Sequence, residues 1–235
     1  MSVALADLRL RLARLEGHGR QTRPGDAMPG ALPLAGLPLA AGGLARAAFH
    51  EVLADAPGSG AAFCATLLGA SGGRVLWITA GSGALQPWPP GLLGCGLPPE
   101  RLLLAQAPHW PDALWAMEEA LRCPGLAATL LVAGWDGEPA PLDLTASRRL
   151  QLAAEAGGGI GLLLRPVPRQ AGEGMGQGVL PGPSAATTRW RVAPRPDGLA
   201  SPRWSLTLLR QRGGAPGGPW PVAWHGAAAG LVREP

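Results

Sequence analysis

Residues Asp55-Ala-Pro-Gly58-Ser59-Gly60-Ala61-Ala62 have the setting of a phosphate-binding turn and lack the two side chains that do its chemistry. A short apolar run precedes them and an alanine-rich one follows. This is the strand, glycine turn and helix N-terminus in which backbone N–H groups can converge on an anion. A working phosphate loop reads Gly-Lys-Ser/Thr at its end: the ammonium reaches the β- and γ-phosphates and the hydroxyl binds Mg²⁺. Here the same place reads Gly60-Ala61-Ala62. Nothing elsewhere can lend the ammonium, because all 20 basic residues are arginine and the chain has no lysine. Tyrosine and asparagine are missing too, a pattern that GC-rich coding also produces.

Two carboxylates of the same mechanism are absent as well. The run ending at Thr79 passes into Ala80-Gly81-Ser82-Gly83, where an ATPase often keeps the residue that orients water. Leu130-Leu-Val-Ala133 has no terminal aspartate, and Asp136 follows only after Gly134-Trp135. The expectation is a vestigial phosphate loop over Gly58, Ser59, Gly60, Ala61 and Ala62 that joins strand to helix, with no ATP hydrolysis and no bound cofactor.

No other arrangement replaces that chemistry. His18, His50, His109 and His225 are scattered, without an HExxH, GxSxG or Cys/His spacing. His50 beside Glu51 at a strand start reads as structural. Cys64, Cys95 and Cys123 lie far apart in apolar surroundings, as expected of buried thiols in a reducing compartment rather than of metal ligands or disulfides.

The elements that would position this turn alternate. The expected order is a strand over 49–54, a helix over 60–69 and strands over 74–79 and 102–105. A helix over 111–122, a strand over 128–133, a helix over 142–156 and a strand over 160–164 follow. Strands apolar on both faces, alternating with helices, indicate an α/β fold with a mainly parallel sheet covered on both sides. Residues 166–186 form a Gly/Pro-rich loop too long for an ordinary connection, either functional or disordered. After it, 187–192, 203–210 and 220–224 read as antiparallel strands or a hairpin at one sheet edge. Ahead of the core, Ser2–Glu16 within a segment 1–20 has helical spacing of Leu5, Leu8, Leu12 and Leu15, and 21–43 reads as a linker. The core spans 44–235.

Charge divides unevenly. Residues 1–160 carry 11 Arg against 13 acids, and 161–235 carry 9 Arg against 3. A basic final third suits nucleic acid, an anionic surface or an acidic partner. No apolar run approaches the ~20 residues that span a bilayer and no secretion signal is visible, so a cytoplasmic location without a membrane partner is expected.

The series His50-Glu-Val-Leu53, Arg74-Val-Leu-Trp-Ile78, Pro98–Leu104 (PPERLLL), Asp112–Gly125 (DALWAMEEALRCPG), Leu142–Leu150 (LDLTASRRL), Pro183–Val192 and Leu209–Gly214 resembles the ImuA family, in order, from about Gly43 to Trp224. ImuA proteins are RecA-like members of bacterial inducible-mutagenesis cassettes, related to the cell-division inhibitor SulA. The resemblance implies a RecA-like core with a degenerate ATPase site. It also implies a non-catalytic scaffold in SOS-induced translesion synthesis, acting with ImuB, an error-prone DnaE-type polymerase and RecA, and reaching the nucleoid after DNA damage. The alternative it carries is a SulA-like inhibitor of the division protein FtsZ.

By the same likeness, the loop after 160–164 corresponds to the RecA loop that contacts single-stranded DNA. Arg165 and Arg169, with Arg189 and Arg191 beyond, become the candidate DNA-contacting residues, although the loop has no aromatic residue to stack bases. Leu8, Leu12 and Leu15 of the first helix either dock on the chain's own core or meet another subunit, by self-association or on RecA. Trp204, Trp220 and Trp224 either bury in the core or anchor a partner.

Overall fold

A computed structural model describes residues 31–81, 83–135, 141–167, 182–196 and 201–235. A two-stranded ribbon, β1 (Ala31–Leu32) with β2 (Leu44–Ala45), leads into β3 (Ala48–Ala54) and helix α1 (Pro57–Ala70). Then come β4 (Arg74–Ala80), α2 (Pro89–Gly94), β5 (Leu102–Ala107), α3 (Trp110–Arg122), β6 (Leu126–Ala133), α4 (Leu144–Gly157) and β7 (Ile160–Pro166). The chain finishes with β8 (Thr188–Pro194), β9 (Arg203–Gln211), β10 (Gly217–Trp224), α5 (Gly226–Ala229) and β11 (Leu231–Arg233).

Nine strands form one sheet in the order β11-β10-β9-β8-β3-β7-β6-β4-β5. The strands β3, β6 and β7 are mainly apolar and buried along almost their whole length, and such strands are stable only when both faces are covered. Alternation of side chains then divides the core in two. Val52, Trp77, Leu130, Leu162, Leu164, Trp190 and Trp204 share one cluster with Phe63 and Leu67 of α1. Phe49, Leu76, Ile78, Leu131 and Leu163 share the other with Met117 and Leu121 of α3 and Leu150 of α4. Helix α4 has clear ends: the Asp143 side chain accepts from Ala146 N at 2.6 Å, and Gly158 takes a left-handed φ of 78°.

The sheet differs from the expectation in two places. Residues 31–43, read as the end of a linker, belong to the core, with Leu32, Leu34, Leu37 and Leu39 buried in the α1-side cluster. Their glycines and prolines mark turns between short apolar anchors rather than a free tether. Strand β8, expected antiparallel, pairs in parallel with β3, from His50 opposite Thr188 to Ala54 opposite Val192. The long 167–187 connection carries the chain back to the starting end of the sheet, so in the large sheet only the β8–β9, β9–β10 and β10–β11 pairings are antiparallel. The Ser2–Glu16 helix, with Leu8, Leu12 and Leu15, lies outside the described residues.

Packing explains His50. Its Nε2 donates to Ala45 O at 2.9 Å, which assigns Nδ1 as the acceptor of the Thr188 hydroxyl at 2.7 Å. That hydroxyl oxygen also accepts from Trp190 Nε1 at 2.8 Å. Burial pushes the imidazole pKa down from 6.5 to about 4. The unfolded chain therefore takes up this proton first as pH falls. The contribution of neutral His50 is complete above pH 6.5 and is lost progressively towards pH 4, about 3 kcal/mol in all. The urea midpoint is expected to fall across that window, with a shallower slope in His50→Gln.

Candidate functional site

In open α/β sheets, ligands bind beyond the carboxyl ends of the strands, so the geometry that matters begins where β3 meets α1. Only Asp55 and Ala56 separate strand from helix. Ala56 is the extended N-cap residue with no side-chain cap, Pro57 opens the helix, and Gly60 N already donates to Ala56 O at 3.0 Å. Gly58, Ser59 and Gly60 are thus first-turn helical residues.

Gly60 is explained by packing. A Cβ there would lie 2.5 Å from Ala54 Cβ and 2.7 Å from Leu164 Cδ1, so its absence lets α1 sit close on the sheet. Around Gly58 the space is open. Ala61 is buried in the α1-side core and Ala62 packs against it.

Asp55 stands five residues before Gly60, at the place of the motif's first glycine. Its carboxylate takes a two-pronged contact from Arg191, Nε to Oδ1 at 3.1 Å and Nη2 to Oδ2 at 3.2 Å. Asp55 N also donates to Val192 O. The end of β3 is therefore tied to β8, with a negative group ahead of the helix N-terminus.

At the end of β4, Gln86 Nε2 donates to Thr79 Oγ1 at 3.3 Å, and Gly81 stands where a carboxylate was sought. At the end of β6, Trp135 packs against the α1-side core, and Asp136 lies outside the described residues.

The arginines named for DNA contact have other employment. Glu51, in the middle of β3 and wholly buried, meets Arg165 Nη2 at 3.3 Å and Arg189 Nη2 at 3.2 Å. Burial lowers the Arg165 pKa from its ordinary value; the charge of Glu51 opposes this, and that of Arg189 adds to it. Both arginines, named for DNA contact from the loop and from just beyond it, are buried, and their guanidinium groups meet the Glu51 carboxylate inside the fold rather than facing outward. Arg191 is held by Asp55, and Arg169 lies outside the described residues.

Trp204 and Trp224 are likewise buried. Trp204 packs edge-on against Phe63 at 5.8 Å and donates to Ser59 O at 3.0 Å, while Trp224 donates to Gly94 O at 2.8 Å. Trp220 is partly buried against Trp190.

Sequence reasoning missed a clamp on the approach to β8. Arg210 Nη1 donates to Ser184 O at 2.6 Å and Ala186 O at 2.9 Å, Arg212 Nη2 donates to Ala185 O at 3.2 Å, and Arg189 Nη2 donates to Gly182 O at 2.9 Å. A guanidinium suits this task because its N–H groups form a rigid fork. The excess of arginine in 161–235 was the available signal, and it was read as a surface property. Among the described residues no group of three or more His, Cys, Asp or Glu could hold a metal ion, and no helix is long and apolar enough to cross a membrane.

No protein-family model matches the chain. Protein ImuA of Caulobacter vibrioides is 40 % identical over 195 residues, covering 75 % of this chain and 75 % of that one. The chain belongs to the ImuA family. The cell division inhibitor SulA of Edwardsiella piscicida is 36 % identical over 91 residues, 39 % of this chain and 49 % of that protein. A solved RadB recombinase is similar in fold, with a TM-score of 0.57 at 16 % identity, covering 89 % of this chain and 100 % of that one. This ImuA family member therefore has the RecA-like recombinase fold, with a mainly parallel sheet and antiparallel C-terminal strands.

Proposed function

We propose that this chain is a non-catalytic accessory of damage-induced mutagenesis, a RecA-like platform that brings ImuB together with an error-prone DnaE-type polymerase. Membership of the ImuA family supports the process. The β3–α1 connection carries the non-catalytic part: two residues leave no loop to surround a triphosphate, and the place of the motif's first glycine is taken by Asp55, held in an ion pair with Arg191. The arginine-only basic set supplies no ammonium. Arg165 and Arg189 serve the fold in this reading, and RecA or single-stranded DNA would be met by other groups.

The purified chain is expected to show no ATP turnover and to co-purify with ImuB. Grafting Ala61→Lys together with Ala62→Thr is expected to leave turnover at zero, because the missing loop length is not restored. Measurable hydrolysis by the wild-type chain, or failure of ImuB to co-purify, removes the reading. The match to SulA supports a second one, an inhibitor of cell division. Filamentous growth on overproduction, without any polymerase partner present, would select it.

A further inference from the structure

The two edges of the sheet are built differently. At one edge β11 has three residues, and Glu234 just beyond it pairs with Arg195 and Arg203. Short, charged edges discourage pairing with another chain. At the other edge β5 reads Leu-Leu-Leu-Ala-Gln-Ala, with no charge, no proline and an unbroken register against β4.

The backbone of β5 can be assigned group by group. Ala107 O accepts from Gly81 N at 3.2 Å, so Ala107 faces β4, and Leu103 and Ala105 share its orientation by the two-residue period. Leu104 and Gln106 then turn their N–H and C=O groups outward, with no partner among the described residues. Leu102 turns its C=O outward, while its N–H donates to Pro99 O. Leu104 is 51 % exposed, although a leucine at mid-strand is ordinarily buried.

We propose that β5 is a homodimer interface, in which two copies pair this strand antiparallel about a two-fold axis through Leu104. Leu104 N–H and C=O then exchange bonds with those of the second Leu104, and Gln106 N–H reaches Leu102 C=O. The leucines at position 104 oppose each other and Leu102 opposes Gln106, so no like charges meet. The nearest cation is turned away: the Arg101 guanidinium donates to Gly73 O at 2.6 Å, Gly69 O at 2.9 Å and Gly72 O at 2.6 Å. A second copy suits this edge because the uncharged strand is self-complementary. Pairing also closes at two chains, since the β11 edge is guarded.

The inference does not rest on the mutagenesis reading and is tested on the purified full chain without partners. Light scattering is expected to give twice the 24.0 kDa mass of the chain. Leu104→Cys is expected to form a covalent dimer on mild oxidation, because hydrogen-bonded antiparallel partners stand about 5.5 Å apart at Cα, within disulfide reach. Cys64, Cys95 and Cys123 are buried and do not compete. Gln106→Cys is expected to stay uncrosslinked, since its mates lie four residues out of register, roughly 13 Å apart. Leu104→Glu is expected to weaken dimerisation more than about tenfold while its melting stays cooperative. A monomeric wild-type mass without a Leu104→Cys crosslink overturns the proposal. So does equal crosslinking of both cysteine variants, or an undiminished Leu104→Glu dimer.

Discussion

Glu51→Ala is expected to destabilise the fold by about 3–5 kcal/mol, the range for removing one partner of a buried ionic group. The carboxylate has no exposure and lies 3.2–3.3 Å from two guanidinium nitrogens, one on β7 and one on β8. Without it, Arg165 and Arg189 are left as two buried like charges beside each other, and burial already works against ionised Arg165. Against a typical total stability of about 5–15 kcal/mol, that loss is large. Urea unfolding checks it.

A second variant separates counter-charge from shape. Glu51→Leu combined with Arg165→Met and Arg189→Met removes all three charges and is expected to recover most of the loss, because apolar replacement of a buried triad is often neutral. If Glu51→Ala unfolds at the wild-type midpoint, the triad contributes nothing and the burial argument fails.

Trp204→Ala is expected to cost about 3–5 kcal/mol in the isolated chain, as large aromatic truncations in cores do. The indole is fully buried on β9, edge-on to Phe63, with its N–H on Ser59 O in the first turn of α1. Trp204→Phe keeps most of the apolar contact and forfeits that hydrogen bond, at a cost of about 1 kcal/mol for the bond itself. A partner anchor would behave otherwise: the free chain would keep its stability, and only binding would fall. Thermal unfolding of the free chain distinguishes the two.

Much of the parallel sheet was legible because apolar runs such as Leu130–Ala133 and Ile160–Leu164 are too short for helices and too uniformly apolar for a half-exposed sheet. The missing lysine was legible from composition alone. What stayed hidden depends on distance along the chain. Glu51 meets arginines 114 and 138 positions away, and no local pattern announces such a pairing. The arginines could be counted but not placed, since period and spacing say nothing about a carboxylate that shares their sheet face on a neighbouring strand. The direction of β8 was hidden for the same reason: a strand's partner is chosen by an available edge, here that of β3.

That choice of edge has a consequence for synthesis. β3 is the first strand of the large sheet to be made, yet its two neighbours are β7 and β8, so it is sealed only after most of the chain has emerged. Pairings over such sequence separations raise contact order and slow folding. Until Thr188–Pro194 arrives, a strand carrying Glu51 in its middle has one open side and lacks Arg189 as counter-charge. Chains cut short before that point would hold an unfinished centre rather than a missing periphery. Their exposed strand makes them candidates for rapid proteolysis, so in the cell the protein is expected as whole chains or hardly at all.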